Sequence, residues 1–141
     1  MSWIFLAILT AFFYGVYNFF IKVSSGHINQ IVGAVILQIV AAVLGSLVLL
    51  YMKITKVTLD ISQKGVLFAI LAGVFVGLAE ITSFYVFSKG VSASVGIPVI
   101  IGGSVAVGAA LGLFFLKESL SLIHYFAIFM IIVGVAILSY K

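Results

Sequence analysis

Charged side chains are scarce in this sequence, and their scarcity decides its class. The 141 residues include seven lysines and three carboxylates, and charged residues make up 7% of the chain. A soluble domain has about 25% charged residues. The chain also contains no arginine. A surface with so few charges cannot face water, so we expect it to face the hydrocarbon of a lipid bilayer.

Cysteine is absent as well, which excludes disulfides and thiolate metal sites. The two histidines, His27 and His124, are far apart in the chain, so no histidine metal centre is expected. No histidine is paired with a carboxylate, and no phosphate-binding loop of the Walker type occurs. We therefore expect neither an enzyme nor a bound cofactor. The lysines are scattered between apolar runs, which argues against nucleic acid as a partner.

Apolar residues are abundant instead, at 65% of the chain. They form five segments, each long enough to cross a hydrocarbon core of about 30 Å as a helix. Helices are required because lipid cannot satisfy backbone N–H and C=O groups. The first segment lacks the features of a cleaved signal peptide, so we expect it to be retained. The sequence thus predicts an all-α integral membrane protein with a single transmembrane domain over residues 1–141. Its predicted helices cover about Trp3–Ile21, Ile31–Met52, Val66–Ser88, Val95–Leu116 and Leu122–Tyr140.

Lysines fall on both sides of the predicted membrane in nearly equal number. With five spans, the two ends of the chain lie on opposite sides. The positive-inside rule then gives only a weak preference, either for an N-terminus in the cytoplasm or for insertion in both orientations. The side of the N-terminus holds Lys53, Lys56, Lys64 and Lys117, and the other side holds Lys22, Lys89 and Lys141.

The third segment holds Glu80, the one carboxylate inside an apolar run. An embedded carboxylate is costly and by default indicates function, here proton exchange or the binding of a cationic solute. Residues three and four apart share a helical face, so Gly73, Gly77 and Ser83 lie on the face of Glu80. We expect this small, polar face to point into the protein. The alternative is a structural carboxylate that is hydrogen-bonded to a neighbouring hydroxyl or paired with a lysine.

Polar side chains also cluster at helical spacing in the first segment, at Tyr14, Tyr17 and Asn18. Such a stripe can line a cavity for a small organic solute. It can equally form hydrogen bonds between packed helices, and both interpretations stay open. Gln38 in the second segment is a weaker candidate for lining the same cavity.

Small residues in the last two segments predict close helix contacts. Ser104, Gly108 and Gly112 recur every four residues, which is typical of helices whose backbones approach closely. We expect Gly134 to be a contact point as well. Glu118 precedes the last helix and is predicted to cap its N-terminus, where negative charge is favoured.

Four stretches, read in order, carry a family likeness. They are Thr10-Ala-Phe-Phe-Tyr-Gly15-Val-Tyr-Asn18-Phe-Phe-Ile-Lys22, Ser94-Val-Gly-Ile-Pro98, Phe115-Leu-Lys-Glu118-Ser-Leu and Ile132-Val-Gly134-Val-Ala-Ile-Leu138. Together, over nearly the whole chain, they resemble one five-helix repeat of the EamA branch of the drug/metabolite transporter superfamily. The resemblance implies a membrane transporter.

Full-length members of that branch contain two inverted repeats, so the resemblance implies that this single repeat works in a pair. We predict an antiparallel homodimer whose cavity is lined by Tyr14, Asn18 and Glu80 of both copies, or a heterodimer with a second half-size chain. The small multidrug resistance branch also pairs its subunits, but it uses a carboxylate in its first helix. This chain has no acid from Thr10 to Gly15, so the cation preference of that branch is not carried over.

The function favoured by the sequence is half-size secondary transport of small organic solutes or metabolites. The protein would work as an inverted dimer by alternating access in the cytoplasmic membrane of a bacterium or archaeon, with proton coupling through Glu80 as one version. The alternative is a non-transporting packing or assembly subunit of a larger membrane complex.

Overall fold

Five α-helices make up the fold of this chain, whose computed structural model describes residues 2–140. Those residues contain no strand, and all five helices are long and apolar enough to cross a membrane. The predicted fold class is therefore confirmed. Lys141, which enters the lysine balance above, lies outside the described residues. The helices are α1 (Trp3–Ser25), α2 (Gln30–Ile54), α3 (Gln63–Ser88), α4 (Ala93–Phe114) and α5 (Leu122–Ser139).

Helices α1 and α3 extend beyond the apolar runs that predict them. Helix α1 continues past Ile21 through Lys22 to Ser25, and α3 begins at Gln63 rather than Val66. Polar residues can continue a helix because its backbone hydrogen bonds do not depend on side-chain polarity. Hydropathy marks only the part of a helix that lies in lipid, so the sequence sets these two ends too short.

Polar caps begin two of the helices. The side chain of Asn29 accepts hydrogen bonds from the backbone N–H groups of Ile31 (3.0 Å) and Val32 (3.4 Å) at the start of α2. Ser62 Oγ accepts one from Gly65 N at 3.0 Å at the start of α3. These oxygens satisfy N–H groups that lack a partner within the helix.

The connection between α4 and α5 differs from the prediction. Helix α4 ends at Phe114, two residues before the predicted Leu116. Lys117 adopts a left-handed conformation with φ 54°, and Glu118 N donates a hydrogen bond to Gly112 O at 3.1 Å. A Cβ added at Gly112 would lie 2.5 Å from Glu118 Oε2. The predicted capping of α5 by Glu118 is therefore wrong, because the left-handed turn folds this carboxylate back onto α4.

The helices form two compact units. The first unit contains α1 up to Phe20 together with the chain from Gly90 onward, where α4 packs against α5. The second unit runs from Ile21 to Lys89, where α2 packs against α3. Helix α1 is continuous and contributes to both.

The core of the second unit lies where α2 begins and α3 ends. Ala34 of α2, Phe84 and Phe87 of α3, and Ile21 from the end of α1 are all buried there. Most other large apolar side chains of the chain are exposed. Lipid tails are as apolar as leucine, so helix association in a bilayer depends on close packing and hydrogen bonds rather than on burial from water.

Candidate functional site

Two polar side chains of α3 are buried in the second unit. Glu80 and Ser83 are each 6% exposed, and they lie one turn apart on the same helical face. Neighbouring apolar residues of this helix, such as Leu78 and Val76, are exposed. A carboxylate at such a position is costly within a bilayer and is usually kept for a function.

An amide from α2 lies beside this face, one turn before Glu80. A Cβ added at Gly77 would lie 3.4 Å from Gln38 Oε1 and 3.9 Å from its Nε2. The absence of a side chain at Gly77 therefore makes room for the half-buried Gln38 amide. The structure thus places Gln38 against Gly77, whose helical face continues one turn on to Glu80 and two turns on to Ser83.

A cation from α1 lies at the end of α3. Lys22 Nζ is 3.4 Å from the carbonyl oxygen of Phe87 and 6.0 Å from the centroid of the Phe87 ring. Helix α3 has no basic residue of its own in its last turn, and positive charge is favoured at a helix C-terminus. Lys22 adds positive charge there, beside the C-cap residue Lys89, and joins the end of α1 to the end of α3.

Apart from Glu80, the charged groups of this unit fall near its two ends. Lys22 and His27 lie at the end where α3 terminates, about two helical turns from Glu80 at about 1.5 Å per residue. Tyr51 and Lys53 lie near the end of α2, which is the opposite end. Among the described residues, no group of three His, Cys, Asp or Glu side chains could hold a metal ion.

The polar stripe of α1 belongs largely to the first unit. The rings of Tyr14 and Tyr17 are in contact, with centroids 5.4 Å apart, and Tyr14 is half exposed. Asn18 is completely buried, and its Nδ2 donates a hydrogen bond to the carbonyl oxygen of Tyr14 at 2.8 Å. The structure therefore groups these three side chains along one helix. Their role in binding, and the cavity shared by two copies, stay predictions.

The close contact between α4 and α5 lies at a glycine that the four-residue pattern misses. A Cβ added at Gly102 would collide with Val135 Cγ2 and would lie 3.5 Å from Ile131 Cγ2. The available signal was the Gly102-Gly103 pair on α4, together with two β-branched residues one turn apart on α5, Ile131 and Val135; only Gly102 of the pair faces them. Ser104, the first member of the predicted four-residue pattern, is exposed. Its Oγ donates a hydrogen bond within the same helix, to the carbonyl oxygen of Ile101 at 2.7 Å.

A second unpredicted contact joins α2 to α3. A Cβ added at Gly33 would lie 2.5 Å from Cε1 of the buried Phe84 ring. In contrast, an added Cβ meets no atom within 4 Å among the described residues at three positions predicted to pack, namely Gly73, Gly108 and Gly134. Close contacts at these three glycines are therefore not made within the described chain.

Comparison with known proteins agrees with the resemblance noted from the sequence. The family described as the EamA-like transporter family matches residues 1–140. An uncharacterised protein of Methanocaldococcus jannaschii is 35% identical over 136 residues, which is 96% of this chain and 95% of that protein. No solved structure matches this chain.

Proposed function

The chain belongs to the EamA-like transporter family, and from this premise we propose that it is a half-size secondary transporter of small organic solutes or metabolites. It is a multi-pass integral membrane protein with five spans. The observation that carries the proposal is the buried carboxylate of Glu80 in the third of these spans. An ionisable group in a spanning segment typically marks a solute or proton pathway.

The proposed working unit is an inverted dimer. Transporters commonly place the solute site near the membrane midplane, between inverted repeats. The matched family region here holds one set of five spans, and the Methanocaldococcus jannaschii protein is matched over 95% of its own length. The balanced lysine distribution supports insertion in both orientations. These points support an antiparallel homodimer as the proposed arrangement, with a heterodimer as the other.

Each polar group has a proposed role in alternating access. Glu80 exchanges a proton or holds a cationic group of the solute. Gln38 and Ser83 line the pathway beside it, and the α1 stripe of Tyr14, Tyr17 and Asn18 lines the pathway as well. The support is the burial of Glu80, Ser83 and Asn18, because buried polar groups in a bilayer normally face the protein interior.

The second candidate function is a packing or assembly subunit that transports nothing. One observation favours it: none of the residues of α5 (Leu122–Ser139) is buried. Beyond its half-buried contact with α4, the exposed surface of α5 suits a partner chain as well as it suits lipid. Under this alternative Glu80 holds the subunit together and moves no proton.

Substituting Glu80→Gln separates the two functions, because glutamine keeps the shape of the side chain and one accepting oxygen but cannot ionise. We expect pH-dependent solute uptake into proteoliposomes to collapse while folding and dimerisation persist. The matched control is Asp60→Asn, which removes an exposed carboxylate outside the helices and should leave uptake unchanged. Loss of assembly in Glu80→Gln would support the packing function, and unchanged uptake would remove Glu80 from the transport pathway.

Orientation can be read from a single introduced thiol, because the chain has no cysteine. Thr58→Cys places it in the exposed connection between α2 and α3. A membrane-impermeant maleimide should label about half of the molecules from each side of intact cells or vesicles if the chain inserts both ways. Labelling from one side only would rule out the antiparallel homodimer and leave the heterodimer.

A further inference from the structure

In the Asn18 amide, the nitrogen makes a hydrogen bond and the oxygen makes none within the described residues. The side chain is 0% exposed, and its Nδ2 donates a hydrogen bond to the carbonyl oxygen of Tyr14 at 2.8 Å. Its Oδ1 is buried and accepts no hydrogen bond from any residue in the described range 2–140. Buried acceptors without a donor are rare in proteins, and each requires an explanation.

The orientation of this amide is fixed by chemistry. A backbone carbonyl only accepts hydrogen bonds, so the group that faces Tyr14 O must be the NH₂ of Asn18. Rotating the amide by half a turn would place two oxygens against each other. Oδ1 is therefore the atom directed away from its own helix backbone.

A buried oxygen without a hydrogen-bond donor lowers the stability of the folded protein, and an apolar residue at this position would avoid that loss. Burying an amide oxygen without a donor is unfavourable, and more so where the surroundings contain no water. Leucine has the same branching at Cγ as asparagine, although its methyl groups are bulkier, and it would fit a membrane helix without that penalty. The hydrogen bond from Nδ2 to Tyr14 O does not explain why asparagine is needed here. The Tyr14 carbonyl lies inside α1 and already accepts a backbone hydrogen bond of that helix.

From this geometry we infer that Asn18 Oδ1 accepts a hydrogen bond from the transported solute, which therefore carries an N–H or O–H group. This inference rests on the transport function proposed above and narrows its substrate class. Primary amines, amides and alcohols meet the requirement, whereas quaternary ammonium ions and purely apolar compounds do not. A site built around a hydrogen bond discriminates strongly against analogues that lack the bonding hydrogen.

Three probes of one shape test the requirement on the purified full chain. They share the 2-phenylethyl group and are 2-phenylethylammonium (N–H donor), 2-phenylethanol (O–H donor) and trimethyl(2-phenylethyl)ammonium (charged, bulkier and without a donor); the loss of preference in Asn18→Leu separates the missing donor from the larger size. We expect the wild type to bind the two donors about tenfold more tightly than the quaternary ion, the loss that one hydrogen bond implies. In Asn18→Leu this preference should disappear.

The inference is overturned if the wild type binds the quaternary ion as tightly as the donors, if Asn18→Leu keeps the preference, or if none of the three probes binds. None of these binding results decides whether the protein is a transporter. That proposal is decided by uptake into proteoliposomes, so wild-type uptake of the quaternary ion would uphold transport and reject the hydrogen-bond requirement.

Thermal stability without any solute gives a second, ligand-independent test. If Oδ1 is idle in the resting protein, Asn18→Leu should melt at the wild-type temperature or above it. The control is Ser25→Ala on the same helix, since Ser25 is 5% exposed and its Oγ donates a hydrogen bond to Lys22 O at 2.9 Å. This control should melt at a lower temperature. A larger drop than in Ser25→Ala, shared by Asn18→Leu and the smaller Asn18→Ala and therefore not due to overpacking, would mean that Oδ1 already has a structural partner, such as a water or a second copy, and would overturn the inference.

Discussion

Replacing Gly33 by alanine places a methyl group against the ring of Phe84. The added carbon would lie 2.5, 2.8 and 3.0 Å from three ring atoms, whereas carbon atoms pack best at about 3.5–4.0 Å. The ring is 2% exposed and cannot swing into solvent or lipid. Overpacking of this kind costs about 1–3 kcal/mol, and alanine regains about 1 kcal/mol of helix propensity over glycine. We therefore expect Gly33→Ala to be neutral or to destabilise by up to about 2 kcal/mol.

The matched control is Gly45→Ala on the same helix, where the added Cβ meets no atom within 4 Å. It should gain about 1 kcal/mol, so the two variants should differ by about 1–3 kcal/mol in their free energy of unfolding. Titration of protein in mixed micelles with SDS, followed by circular dichroism, measures that difference. Adding Phe84→Leu to Gly33→Ala should recover part of the loss. Equal stability of Gly33→Ala and Gly45→Ala would refute the contact between α2 and α3 described here.

Three further predictions concern other contacts. Gly102→Ala should be less stable than Gly103→Ala by about 1–3 kcal/mol, because its Cβ collides with Val135 while that of Gly103 meets no atom within 4 Å. Similar unfolding curves for the two variants would contradict this packing. Asn29→Ala should cost about 1 kcal/mol through loss of the α2 cap, and an unchanged unfolding free energy would show that the cap is dispensable. Lys22→Met should destabilise by about 0.3–1 kcal/mol through loss of the cation at the end of α3, with Lys22→Arg close to wild type; a methionine variant as stable as the arginine variant would exclude that role.

The sequence predicts the five spans well because lipid imposes one rule on every helix that crosses it. A hydrophobic run of sufficient length must be helical, so the number of helices and their middle parts follow directly. Helix ends are different. The last turn of α1, through Lys22 to Ser25, is polar, and only the backbone hydrogen bonds and the tie to Phe87 show that it is helical.

The packing contacts could not be predicted because they depend on which side chain faces each glycine. The four-residue repeat of Ser104, Gly108 and Gly112 is a property of one helix, while the collision at Gly102 requires Val135 on another. The same holds for Gly33 and Phe84. Small residues identify helices able to approach closely, but the partner surface decides where they do so.

The candidate site was accessible from the sequence only in part. Glu80 is conspicuous because a carboxylate inside an apolar run is rare, and its helical neighbour Ser83 follows from periodicity. The proximity of Gln38 to Gly77 depends on the register between α2 and α3, which no local pattern fixes. The idle oxygen of Asn18 is visible only when its hydrogen bonds are counted in three dimensions.

Counterflow exchange in liposomes that contain this chain alone tests the proposed transport most directly. Vesicles preloaded with unlabelled amino acids, sugars or polyamines are diluted into a trace of the same labelled compound. We predict that wild-type protein accumulates label for at least one of these classes above protein-free vesicles, and that Asp60→Asn behaves like wild type. Folded, membrane-inserted wild-type protein that exchanges no member of any class would contradict the account.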